Sequence, residues 1–362
     1  AAAGVTIIVG LGGYLAAVTQ GAAVLVAELT PLSYLQGLFV AWISYTAFTM
    51  YSGSRGVVLT DTLMFLLFST ATLAALIYMI NDQGGWYDSF SALSSLEEKP
   101  GLMAWSGETG PGTPFESPLD YLAWGIIIAA AWSLVLAVSP WQSSRYLIAR
   151  DEHVVMRSAC YAAIAAVTIE MTLYAAAATV NLSKTDIEPY EETMIWAARN
   201  LVPDFLGALL LAGIMAAALS SASTFLSLIG FSVSNDLFER EKTDEKKILR
   251  TSRLVMFVIG VLALTTTLFV PPNVFWLTYF VGTIFASSWG PVALMSVWSD
   301  RITAAAAFWG LISGFAFNVV PKALDYFGLI QLPSWADPIL IGAAVSLVVI
   351  VTVSRLTTVT GA

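Results

Sequence analysis

The sequence predicts an all-α fold: a polytopic bundle of about ten transmembrane helices. Three observations carry that expectation. Hydrophobic residues make up 57% of the 362 residues and charged ones only 11%, against about 25% charged in a typical soluble domain; mean hydropathy is +0.77. Apolar stretches long enough to cross about 30 Å of hydrocarbon as helices recur along the whole length. Basic residues collect in alternate loops. A membrane barrel would alternate apolar and polar positions, and the runs here are continuous instead.

In chain order the expected spans are 5–28, 32–52, 57–80, 119–140, 154–181, 204–235, 250–270, 274–298, 303–321 and 337–355. The first contains Gly10, Gly12 and Gly13, which suit close helix packing better than a phosphate loop, since no strand precedes them. Short polar loops rich in Gly, Pro, Asn and Asp separate the spans. The exception is 81–118, a long loop of Gly, Ser, Pro and acids. Cys160 falls inside the fifth span, which excludes a disulfide framework and reads as a small packing residue. His153 stands alone in a loop, so no His/Cys metal cluster is expected.

The 16 Lys and Arg set the orientation. One set of loops holds Arg55, Arg145, Arg150, Arg157, Arg240, Lys242, Lys246, Lys247, Arg250, Arg253, Arg301 and Arg355. The other holds Lys99, Lys184, Arg199 and Lys322. The first set is expected on the cytoplasmic side, and the alternation fits all ten spans. The net charge of −9, concentrated in the other loops, points away from a nucleic-acid partner.

Three acids fall inside the spans: Glu28, Asp61 and Glu170. Glu28 is close enough to a span end to reach the interface. Asp61 lies about a turn inside the cytoplasmic end of the third span. Glu170 is near the middle of the fifth, either as a hydrogen-bonded structural acid or as a proton-relay or cation-binding group. No Lys or Arg is expected at the same depth.

The sixth span carries "AAALSSASTFL", 216–226. At about 1.5 Å per residue, Ser220 and Ser221 sit near the bilayer midplane. Ser220, Ser223, Thr224 and Ser227 follow i, i+3, i+4, i+7 spacing and share one face. Hard cations take oxygen ligands, so the stripe suits Na⁺. It also suits plain helix packing, with hydroxyls bonded to their own helix.

Four stretches, in order, resemble the sodium/solute symporter family: "SGSRGVVLTDTLMFLLF" (52–68), "SPWQSSRYLIARDEHVVMRSA" (139–159), "GALLLAGIMAAALSSASTFLSLIGFSVSNDLF" (207–238) and "FASSWGPVALMSVWSDRITAAAAFWGLISGF" (285–315). The resemblance implies an inverted-repeat (LeuT-like) transporter fold. Residues 1–80 would be the last three helices of the first repeat, 119–298 the second repeat, and 303–355 two additional helices. The first two core helices are then expected upstream of residue 1. The resemblance further implies a symporter of the cytoplasmic membrane that imports a small organic solute with one or two Na⁺, as a monomer, without an organic cofactor. A first sodium would be held by the Ala217 carbonyl, Ser220 and Ser221. A second, inner one would use Asp61, Ser220, Ser223 and Thr224. Trp132, Ser133, Ser139, Glu170, Trp276, Tyr279, Phe280 and Ser287 are expected to line the solute pocket. A proton-coupled carrier or a symporter-like sensor domain stays open; an enzyme is not expected, for want of a nucleophile–base or metal constellation.

Overall fold

A computed structural model describes residues 2–113, 115–234, 245–270, 274–332 and 336–358. No strand occurs among them. The long helices are α1 (Ala2–Leu29), α2 (Tyr34–Asp82), α4 (Pro118–Val138), α6 (Glu152–Val180), α8 (Asp204–Ser232), α9 (Glu245–Phe269), α10 (Val274–Trp298), α11 (Ala304–Tyr326) and α12 (Pro338–Thr358). Three short helices lie between them: α3 (Trp86–Ser94), α5 (Pro140–Leu147) and α7 (Thr193–Asn200). The basic loop with Arg240 and Lys242 falls outside the described residues.

Among the described residues, nine helical stretches are long and apolar enough to span a bilayer, one fewer than expected. The one not counted is the expected second span: in the 49-residue helical run of α2 only Leu59–Asp82 qualifies. Straight, such a helix would reach about 74 Å, more than twice the hydrocarbon thickness. It is not straight. Thr19 on α1 donates to the Tyr45 hydroxyl at 3.2 Å, while neighbouring Val18 and Ala22 share a cavity with Phe68. Tyr45 and Phe68 thus meet the same part of α1, and the run doubles back between them. Both halves of α2 therefore lie along α1, the second of them long and apolar enough to span a bilayer.

The start of α2 shows why a helix begins there. Ser33 accepts from the Gln36 backbone N–H, and the Gln36 side chain accepts from the Ser33 N–H. This reciprocal cap satisfies two donors the helix leaves open.

The bundle is organised around α8. It packs against both passes of α2 and against α1, α7 and α9, while α10 packs against α1, α4, α11 and α12. Leu210 and Leu211 of α8 share one core cluster with Leu25, Ala75, Leu76 and Ala176. Phe225 and Ile229, about four to five turns further on, share another with Leu11, Tyr14, Val281 and Phe285. The packing role expected of the glycines near residue 10 is met: Gly10 and Gly13 lie against Phe285 and Val281. Cys160 departs from expectation. It is exposed, on the outward flank of α6, which buries only Thr172, Ala176, Thr179 and Val180. The long polar loop holds α3 and is tied to the end of α6 by Lys99, which donates to the Asn181 side chain at 2.9 Å.

Gly314 marks a tight helix crossing. A Cβ there would overlap the backbone of Ser287 and Ser288, coming within 2.8 Å of the Ser288 Cα, whereas a Cβ on Gly12 meets nothing within 4 Å. Gly314→Val should therefore destabilise by at least about 1–3 kcal/mol, and Gly12→Val should be tolerated. Thermal unfolding of the detergent-solubilised protein checks both.

Candidate functional site

Asp61 is the centre of the polar interior. It stands where the returning pass of α2 meets α8. Ser220 donates to its Oδ1 at 2.6 Å. Arg145 Nη2 contacts its Oδ2 at 2.5 Å and also donates to Thr224 Oγ1 at 3.1 Å. Residues 159 and 84 positions from Asp61 are thereby gathered onto one carboxylate. Side-chain exposure is 21% for Asp61 and 33% for Arg145, so the pair is only partly shielded from solvent. The sites at Ser220 and Thr224 come from adjacent turns of one helix face, as their i, i+4 spacing requires.

Arg145 reaches this place because the fourth span does not end where its apolar run ends. α4 stops at Val138. Ser139 is extended (φ −63°, ψ 142°), and α5 starts at Pro140. Proline has no N–H to continue the α4 ladder and its ring crowds the preceding turn, which favours a break here. Proline is nonetheless well suited to open the next helix. The chain then runs on as α5, with Arg145 in its last turn. The expectation that Arg145 lies in a loop is corrected on this point: it belongs to a helix packed on α8 and reaches Asp61 and Thr224.

An aromatic cluster surrounds the break. Trp141 packs edge-on against Tyr14, Phe225 and Phe285, with ring centroids 5.2, 5.7 and 5.6 Å apart. Tyr14 stacks on Phe225 at 5.3 Å. Its hydroxyl lies beside Gly282, as do Val135 and Trp132. The buried hydroxyls of Tyr14 and Ser139 have no hydrogen-bond partner among the described residues. Unpaired buried donors are costly and uncommon.

The sodium:solute symporter family model matches residues 2–314. The chain belongs to that family. Among its relatives, the sodium/proline symporter of Escherichia coli (strain K12) is 24% identical over 83% of this chain and 59% of the relative. The sodium/pantothenate symporter of the same organism is 23% identical over 84% of this chain and 62% of the relative. The chain thus spans about three-fifths of the length of these relatives. The solved structure of a Na⁺-coupled sialic acid symporter, substrate-bound and outward-open, superposes with a TM-score of 0.75 at 15% identity, over 98% of this chain and 74% of that one. At that identity the likeness speaks for the fold, which is the inverted-repeat class expected. Like other sodium:solute symporters, the chain is a multi-pass membrane protein.

The residues anticipated from the sequence scatter more than their spacing suggested. Ser220, Thr224 and Asp61 come together. Ser223 does not join them: it is fully buried and donates to the Ser220 carbonyl at 2.9 Å, as Ser227 does to the Thr224 carbonyl. A hydroxyl bonded to its own helix is the alternative such spacing always leaves open. Ser220 and Ser221 diverge, being about 100° apart around the helix. Ser221 and Ala217 face a cavity of about 410 Å³ shared with Val18, Gly21, Ala22 and Leu25.

The anticipated pocket residues divide as well. Trp132 and Ser139 lie at the aromatic cluster. Ser133 is exposed and bonded to its own helix. Glu170 is exposed on the outward flank of α6, away from the cluster. Tyr279 is buried and donates to Asp337 at 2.9 Å, while Ser287 is buried at the crossing with Gly314. Trp276 and Phe280 line a separate groove with Tyr326 and Phe327. Sequence reasoning missed Tyr14, Trp141 and Arg145 as site residues. Pro140 was the available signal, since a helix broken inside the membrane often lines a site. Glu28, finally, pairs with Arg199 at 3.2 Å near the end of α1.

Asp61→Asn keeps the shape of the side chain but removes the counter-charge of Arg145. The expected loss of stability is on the order of 1 kcal/mol, because the pair is part-exposed and screened. Ser133→Ala should cost nothing measurable. Melting temperatures in detergent compare the two.

Proposed function

We infer that this chain forms the greater part of a sodium-coupled symporter that imports a small organic solute by alternating access. The observation that carries this reading is the convergence of Asp61, Ser220 and Thr224 at the α2–α8 contact. A carboxylate and neutral hydroxyls are the donor set a hard monovalent cation takes, and here they sit inside a bundle of membrane helices. Membership of the sodium:solute symporter family supports the choice of sodium. The names of its relatives, which include proline and pantothenate symporters, support a small organic solute.

Two cation positions fit the residues. The first uses the Ala217 carbonyl and Ser221, which border the α1 cavity, with Ser220 beside them. The second uses Asp61, Ser220 and Thr224. Ser223, whose proton goes to the Ser220 carbonyl, contributes only if its oxygen lone pairs are turned toward the ion. The solute is placed at the broken fourth span, against Tyr14, Trp132, Ser139 and Trp141. Aromatic faces there shield the solute from water, and the unpartnered Tyr14 and Ser139 hydroxyls are free to bond its polar groups. The repeat assignment follows the same reading: 1–80 belongs to the first repeat, 119–298 to the second, and 303–355 lies outside both.

Coupling follows from linkage. Sodium that favours the arrangement with an intact pocket raises solute affinity, and bound solute raises sodium affinity by the same factor. Each Na⁺ moved through 100 mV supplies about 2.3 kcal/mol, so two ions would allow far steeper accumulation than one.

Saturable ²²Na⁺ binding to the purified full-length protein tests the ion site. Ser220→Ala/Ser221→Ala should raise the sodium Kd at least about tenfold, the equivalent of 1.4 kcal/mol, and Asp61→Asn should remove one class of site. No binding in the wild type, or binding untouched by both variants, would return the hydroxyls to a packing role. Tyr14→Phe tests the pocket. Deleting an unpaired buried hydroxyl should leave the melting temperature unchanged or raise it, while raising the KM for the transported solute several-fold. An unchanged KM removes Tyr14 from the pocket.

A further inference from the structure

Arg145 occupies the donor set assigned above to the inner sodium. Its guanidinium binds Asp61 Oδ2 and Thr224 Oγ1, two of the oxygens that the ion would need. The third, Ser220 Oγ, spends its proton on Asp61 Oδ1. One carboxylate provides a single negative charge. A guanidinium and a sodium ion cannot both take it as counter-ion at contact distance without repelling each other.

The helix that carries Arg145 is loosely attached. None of the eight residues of α5 is buried. Its N-cap makes no side-chain bond to the helix start, and Pro140 leaves it without the hydrogen-bond ladder that would continue α4. Two anchors hold it to the bundle: the packing of Trp141 on Tyr14, Phe225 and Phe285, and the contacts of Arg145 Nη2 with Asp61 and Thr224.

We propose that Arg145 is a tethered cation that competes with sodium for Asp61 and Thr224, so that docking of α5 and occupation of the inner ion site exclude one another. The inference rests on the sodium-coupled reading and adds a residue that regulates the same site. When the ion leaves, Arg145 takes its oxygens and neutralises Asp61. The empty site is then not left as a bare carboxylate inside the bundle, and the departing ion finds its place filled. When sodium returns, the guanidinium is displaced and α5 loses one of its two anchors. The ion therefore acts on the conformation of the broken fourth span, which also borders the aromatic cluster.

The test is the sign of a change in sodium affinity. ²²Na⁺ binding is measured on the full-length protein for wild type, Arg145→Lys and Arg145→Gln, alongside Asp61→Asn. Removing a competitor should tighten binding: Arg145→Gln should lower the inner-site Kd about tenfold. Arg145→Lys keeps the charge, but on a more compact and more strongly hydrated ammonium, so it should fall between wild type and Arg145→Gln. Free guanidinium ion, added at millimolar concentration to Arg145→Gln, should raise the Kd back toward the wild-type value. A residue that merely positions Asp61 gives the opposite sign, with weaker sodium binding in both variants. That result, or an unchanged Kd in a folded variant, overturns the proposal. Should Arg145→Gln fail to fold, Arg145→Lys decides alone, with a tighter Kd expected and an unchanged or weaker one overturning the idea. If wild type binds sodium and Asp61→Asn loses a site while the Arg145 variants do not tighten, the competition fails and the ion site stands. If wild type binds no sodium, the sodium-coupled reading itself falls, and the competition with it.

Discussion

A carboxylate placed among membrane helices requires a positive partner, and much of this molecule is arranged around meeting that requirement at Asp61. The charge is costly to hold in a region of low polarity unless a cation or several donors answer it. Here the second pass of α2 supplies the acid, α8 supplies two hydroxyl positions and α5 supplies a guanidinium. Three segments far apart in sequence are thereby registered against each other. The rest of the packing is consistent with that register. α8 touches both passes of α2, and the clusters on either side of Ser220 join it to α1, α6 and α10.

Alanines and glycines make this possible. Ala216, Ala217, Ala218 and Ala222 keep α8 narrow beside the hydroxyls, and Gly213 brings its backbone against Phe68 of α2. Close approach matters more in a bilayer than in water, because lipid gives apolar surfaces little reason to associate beyond good contact. The same property that lets helices pack leaves polar atoms within reach of one another, so the packing and ion-binding readings of a small-residue stripe are less opposed than they first look. Ser223 and Ser227 take the first role, and the proposed ion site gives Ser220 and Thr224 the second, on one helix.

Much of this was legible from residues alone. The spans follow from hydropathy, the pairing of Asp61 with Ser220 follows from the family pattern, and Gly10 and Gly13 do pack against a neighbour. What escaped had a common cause. Hydropathy ends the fourth span at Pro140 because polar residues follow, yet those residues form a helix that stays against the bundle. Arg145 therefore read as a loop residue. Glu170 was placed by depth, but depth does not say which flank of α6 it occupies, and that flank is exposed. Cys160 went the same way. Ser223 shares a face with Ser220 by spacing, and spacing cannot show that its proton goes to a carbonyl of its own helix. In each case the missing information was the direction of a side chain, which depends on partners distant in the chain.

The discontinuity at Ser139 and Pro140 has a mechanical consequence. An eight-residue helix is about 12 Å long, and one that pivots at its start behaves as a lever. Tilting it by about 20° would carry its far end about 4 Å, more than the length of a hydrogen bond. Arg145 rides on that far end, whereas Trp141 sits beside the pivot and scarcely moves. Small rotations of the backbone at one residue would thus be magnified into making or breaking the contact with Asp61, while the aromatic cluster at the fulcrum keeps its packing.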